Sequence, residues 1–241
     1  MKPQSTFTTM PLAARFAIVL FALTGFAAVA YAMIFHMGFA TGRLVLLMAA
    51  ATLCAQTKVK LYKASTISLL TSVVLLTVTL EGLASALIVA VFGVTVQTVV
   101  PSKKLVLHQL AFNLGMIALT VTATWFTHQS LTAARIATPL STEAMATLMA
   151  SFVYFLGNSI SVSLIISLSK RVSMAEVWLK HFMYSAPSFV LAGLLSLGIV
   201  ALLSSQSFST VLALVAVTFA AYFTSVRLAG KPAIQELGLA R

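Results

Sequence analysis

The side chains able to do chemistry in this sequence are few. Four titratable groups, His36, Glu81, His128 and Glu143, flank long apolar stretches. Two imidazoles and two carboxylates are a ligand set that could hold a divalent metal if they converged. They come from four separate segments with no ligand-like spacing. The expectation is therefore polar groups at one membrane face, with no metal and no cofactor. The polar groups inside apolar runs are instead Asn113, Asn158 and numerous Ser and Thr, from which Asn113, Asn158 and Ser161 are singled out. Amides and hydroxyls at such depth either bond neighbouring helices, for about 0.5–2 kcal/mol each, or line a small polar cavity. These three are the candidate ligand-binding set.

No catalytic motif is present: no HExxH, no phosphate-binding loop, no GxSxG and no glycine-rich dinucleotide loop. Gly157-Asn-Ser159 has the outline of an intramembrane serine nucleophile, but no His occupies a helix centre to act as its base. A non-enzymatic protein is expected. The single Cys54 can form no internal disulfide and reads as packing.

What must position these groups is a membrane. The 241 residues are 60% hydrophobic and only 8% charged, with a mean hydropathy of +1.05. A water-soluble domain carries roughly 25% charged residues, so lipid has to be the solvent for most of this surface. The net charge of +11 does not imply a nucleic-acid partner, because no basic cluster sits on a soluble module. Basic residues of this kind mark cytoplasmic loops.

A crossing helix needs about 20 mostly apolar residues. Candidate spans fall at 14–35, 42–57, 64–80, 83–100, 105–126, 145–168, 182–203 and 207–226. The expected fold is an all-α polytopic bundle of about eight spans, a single domain over 1–241 with both termini cytoplasmic. That count puts thirteen of the fifteen Lys and Arg inside and leaves Arg43 and Arg135 outside. Omitting the second span, the least apolar of the eight, would invert every later one and destroy the bias. Ala-Tyr-Ala at 30–32 resembles a secretory cleavage site. The apolar run reaches Phe35, longer than the usual signal core of about 7–15 residues, so a retained anchor is expected.

Local signals divide the spans. Glu81-Gly82 makes a tight outer turn, with Glu81 placed to cap the fourth helix. Ser102 can cap the fifth helix, and Pro139 suits the start of the sixth. Ser173-Met-Ala-Glu176 has the capping-box pattern and opens an amphipathic interfacial helix at 173–181. Pro187 is placed to bend the seventh span. Small residues recur at four-residue spacing at Gly82, Ala86 and Ala90, at Gly157 and Ser161, and at Ser159, Ser163 and Ser167. Such stripes let helices approach closely in lipid.

The stretch from Lys58-Val-Lys-Leu through Ser65-Thr-Ile-Ser68, Leu80-Glu-Gly82, Lys103-Lys104 and Leu110-Ala-Phe-Asn113 resembles a bacterial multi-pass membrane sensory region. That region precedes cytoplasmic HD-GYP or GGDEF domains of cyclic di-GMP signalling. Asn158 and the Ser173 to Trp178 connector are similar to its later part, so the likeness covers roughly 50–180. The resemblance implies residence in the bacterial inner membrane, a ligand or membrane-borne signal, and a cytoplasmic signalling partner. Proteins of that kind continue into an output domain, and this sequence reaches Arg241 without one. The first expectation is thus a sensory, signal-relay or ligand-binding bundle. The alternative is a small-solute transport component resembling the substrate-binding subunit of an energy-coupling-factor transporter. A membrane-embedded enzyme is a third, weaker reading.

Overall fold

The computed structural model describes residues 7–38, 41–56, 58–60, 66–100, 106–134 and 138–204. Eight helices carry it: α1 Leu12–Phe35, α2 Thr41–Gln56, α3 Leu70–Glu81, α4 Leu83–Val99, α5 Leu107–Ala134, α6 Pro139–Lys170, α7 Met174–His181 and α8 Ala186–Ser204. Between α2 and α3 lies a short antiparallel pair, β1 Lys58–Lys60 and β2 Thr66–Ser68, with Val59 opposite Ile67. Among the described residues, four helical stretches are long and apolar enough to cross a membrane: Leu12–Phe35, Leu107–Ala134, Thr142–Lys170 and Met174–Ala201. The apolar helices α2, α3 and α4 have 16, 12 and 17 residues. At about 1.5 Å per residue they fall short of the roughly 30 Å hydrocarbon thickness.

Three features differ from the sequence reading. The third candidate span, 64–80, does not begin as a helix: Thr66–Ser68 is extended and α3 starts only at Leu70. Lys-Val-Lys and Thr-Ile-Ser each alternate polar with β-branched residues, the pattern of a paired strand. The fifth helix runs on to Ala134, past the predicted end at 126, and so carries His128 within it. The capping box is not formed: Ser173 makes no side-chain cap to α7, and Glu176 instead accepts from Lys180 Nζ at 2.5 Å, four residues on. The eighth candidate span, 207–226, lies outside the described residues.

The bundle is apolar outward. Leu12, Phe16, Phe26, Ile34, Leu46 and Leu53 expose most of their surface, whereas Thr77, Ser85, Thr124, Ser151 and Ser163 are fully buried. A protein in water would reverse this arrangement. Some of these hydroxyls enter the interior by bonding their own helix: Thr77 Oγ1 donates to the Val73 carbonyl at 2.7 Å, and Ser163 Oγ to the Ser159 carbonyl at 2.8 Å. The apolar core gathers Leu70, Val74, Leu75 and Val78 of α3 with Leu83, Leu87 and Val89 of α4 and Val121 of α5.

Helix α5 is the hub, packing against α1, α4 and α6, while α8 rests on α6 and α3. Glycines set the closest crossings. A Cβ on Gly157 would lie 2.8 Å from Thr120 Oγ1, and one on Gly193 would lie 2.9 Å from the Ser151 Cβ. Gly82 behaves otherwise: nothing lies within 4 Å of its missing Cβ, and it turns the chain between α3 and α4 at φ 82 and ψ −169. It serves backbone conformation rather than the predicted small-residue contact, which Ala86 and Ala90 supply from fully buried positions. Pro187 sits in the first turn of α8, after the tight turn Met183–Ser185 that separates α8 from α7. The missing N–H costs little there.

Candidate functional site

Helices α3, α4, α5 and α6 line a partly open cavity of about 180 Å³. Each contributes one stripe of wall, in register with the helical repeat. Helix α3 gives Leu70 and Thr71, α4 gives Val94, Gln97 and Thr98, α5 gives Asn113, Met116 and Ile117, and α6 gives Tyr154, Asn158 and Val162. Two of the three residues picked out from sequence, Asn113 and Asn158, thus meet across one space. Ser161 is not among the described residues lining it. It lies one position off the Tyr154–Asn158–Val162 stripe and is half-buried.

The close crossing at Gly157 presses α6 onto α5 and brings the adjacent Asn158 to the wall. On the same helix Ser159 Oγ accepts from Trp178 Nε1 at 2.9 Å, tying α7 to α6. Ser159 is therefore engaged in packing. Asn113 Nδ2 donates to Thr98 Oγ1 across a long 3.5 Å, while the buried Tyr154 hydroxyl is hydrogen-bonded with Thr71. The polar wall consists only of amides and hydroxyls. With no charged residue in that wall, the arrangement offers donors and acceptors to a neutral molecule and no countercharge to an ion.

Sequence reading missed Thr71, Gln97, Thr98 and Tyr154. Gln97 had the same signal as the two asparagines, an amide within an apolar span. Tyr154 is one turn before Asn158, and a hydroxyl inside a span usually finds a partner.

A second space, a groove of about 390 Å³, opens between the start of α1, the start of α5 and the end of α6, with His108, Phe112, Asn113, Val162, Ile165 and Lys170 among its lining. A third, about 550 Å³ and largely apolar, lies among Leu46, Leu47, Leu76, Leu80 and Val200 with Arg43 and Glu81 at its edge.

The four titratable groups do not form one site. His128 Nε2 and Glu143 Oε1 are 3.0 Å apart, and His128 is almost fully buried. Glu81, predicted to cap α4, is instead bound by Arg43, whose Nη1 donates to Oε1 at 3.3 Å. His36 lies edge-on to Trp125 at 4.7 Å and 3.4 Å from the Tyr31 hydroxyl. Among the described residues no three His, Cys, Asp or Glu side chains are grouped to hold a metal.

Compared with protein families, curated proteins and solved structures, the chain matches none, so its assignment rests on its own geometry.

Proposed function

We propose that this chain is a non-enzymatic multi-pass protein of the bacterial cytoplasmic membrane that binds a small, uncharged polar molecule inside its helix bundle. Eight crossings with both termini in the cytosol give the best distribution of its cationic residues. The observation that carries the binding reading is the convergence of Asn113 and Asn158, from different helices, on one cavity of mixed lining, where amides and hydroxyls alternate with Leu70, Val94, Met116, Ile117 and Val162. Some of these groups bond across helices, Asn113 to Thr98 and Tyr154 to Thr71, yet a space of about 180 Å³ remains between them.

The position of the cavity is the reason to prefer a sensory role. Leu70 and Thr71 form part of its wall, and the strand Thr66–Ser68 ends one residue before α3 begins. An occupant held by Thr71 bears on the start of α3 and so on the hairpin that leads into it. That is a short mechanical path to a cytoplasmic signalling partner, in keeping with the likeness to sensory regions of cyclic di-GMP proteins. Uptake of a small solute as a transporter's binding subunit is the second reading, favoured by a cavity lined by four helices.

Native mass spectrometry of the full chain, released gently from nanodiscs, tests the proposal. The expected result is a co-isolated small molecule on the wild type that is missing from Asn158→Leu. Wild-type protein that is fully folded yet carries no adduct, and shows no thermal shift with membrane extracts, would overturn it.

A further inference from the structure

Asn113 and Val162 each face two spaces. One is the cavity among α3, α4, α5 and α6, and the other is the groove between α1, α5 and α6. We infer that this groove is the route by which the ligand reaches the cavity, with Asn113 and Val162 as the partition it passes. The inference rests on the binding reading above.

Volume is the first reason. The cavity's 180 Å³ is below the roughly 300 Å³ at which organic-ligand sites begin. The adjoining groove holds about 390 Å³, so opening the partition brings the joint space into the usual range. The partition is also built to yield. The Asn113 to Thr98 bond is at the 3.5 Å limit of a hydrogen bond, and the amide's terminal torsion is broad, so it swings without moving the backbone. Other parts of the wall are packed on all sides: Leu70, Ile117 and Tyr154 are almost fully buried. The third groove shares no wall residue with the cavity and offers no comparable passage.

The two ends of the route differ in character. Ile18, Phe112, Val162, Ile165 and Ile166 make an apolar floor, whereas His108, Gln109, Ser169 and Lys170 make a polar rim. A neutral polar molecule leaves water at the rim and regains hydrogen bonds only beyond Asn113. The rim lies where α1 and α5 begin and α6 ends, which is the cytosolic side in the proposed topology.

The test uses the full chain in a Cys54→Ser background, with single cysteines introduced as Gln97→Cys in the cavity or Ser169→Cys at the rim. Methanethiosulfonate ethylsulfonate, which does not cross lipid, is applied to inverted and to right-side-out vesicles. Both cysteines are expected to react only from the cytosolic face. Adding Val162→Trp should slow the Gln97→Cys reaction by at least about tenfold and change the Ser169→Cys reaction by less than about twofold. If Val162→Trp reduces folding, Ile165→Trp on the same floor replaces it. Reaction of Gln97→Cys from the opposite face, indifference to the tryptophan, or a silent Gln97→Cys beside a reactive Ser169→Cys would each refute the route. A silent Ser169→Cys refutes it as well. Normal labelling in a protein that carries no small molecule would leave the route standing and remove the binding reading.

Discussion

Gly25 of α1 and Gly115 of α5 cross backbone to backbone: a Cβ on Gly25 would lie 2.4 Å from the Gly115 Cα, and one on Gly115 would lie 2.1 Å from the Phe21 carbonyl oxygen. Neither clash can be relieved by rotating a side chain. Gly115→Ala gains up to about 1 kcal/mol of helix propensity. Forced separation of packed helices costs about 1–3 kcal/mol, so the clash dominates. The expected outcome is a lower Tm in detergent for Gly115→Ala and a larger drop for Gly115→Leu. A Tm equal to or above wild type would show that α1 does not dock on α5 there.

Gly82 offers the opposite case, since space is free around it and only the backbone objects. Its φ of 82 and ψ of −169 fall in a region that is essentially glycine-only. Gly82→Ala is expected to cost about 1–3 kcal/mol although the new methyl group touches nothing. Gly38→Ala, also in open space and with no positive φ, should leave the Tm within experimental error. Equal stability of the two variants would mean that the α3–α4 turn has another conformation.

These two glycines mark what a linear sequence can and cannot disclose. The ends of α1 and α4 lie within two residues of the spans read from sequence, because apolar runs there stop sharply. Helix α5 outruns its predicted span because residues 127–134 are too polar to read as a span yet hold no Gly or Pro to break a helix, and hydropathy measures only the first property. Asn113 and Asn158 stood out as isolated amides in apolar surroundings. Which residues share their cavity depends on the rotation of four helices about their axes. Gly25 and Gly115 were hidden for the same reason, each being alone in its own helix with its partner far along the chain.

Arg43 and Glu81 lie on opposite sides of an exposure gradient: the carboxylate side chain is 6% exposed and the guanidinium side chain 71%. The short α3 holds Glu81 at the tip of its hairpin, and Arg43 reaches it from α2. Removing the cation strands a buried negative charge, which costs more than losing the pair altogether. Arg43→Ala is expected to destabilise by about 1–3 kcal/mol, reduced from the buried-pair range because Arg43 is wet. Adding Glu81→Gln to that variant should recover most of the loss. A double variant no more stable than Arg43→Ala would rule out a stranded charge as the cause.

Asn158 separates binding from stability. Interhelical hydrogen bonds in membranes are worth about 0.6 kcal/mol on average, so Asn158→Leu should shift the unfolding free energy by less than about 1 kcal/mol. Ligand retention by the same variant should fall below detection if the amide recognises the occupant. Comparing the Tm with the adduct seen in native mass spectrometry distinguishes the roles. A large loss of stability with the adduct intact would assign Asn158 to helix packing.

The proposed crossing number rests on the placement of charge, and the short helices make it testable. Helices α2, α3 and α4 are each too short to cross a full hydrocarbon layer upright, yet all are apolar and packed in one core. They can serve as crossings only where the bilayer thins around them or where flanking Lys and Arg reach the interface. Paired reporters, one active only in the cytosol and one only outside it, should find the chain inside at position 103, outside at 136, and inside at 172 and 241. The odd-numbered crossings then run outward and the even-numbered ones return, which keeps Lys103, Lys104, Lys170 and Arg171 on the cytosolic side. If α2 lay along the surface instead, positions 103 and 136 would exchange sides and thirteen cations could no longer be gathered within. An outside signal at 103 would therefore remove the eight-crossing arrangement and, with it, the cytosolic mouth assigned to the groove beside Lys170.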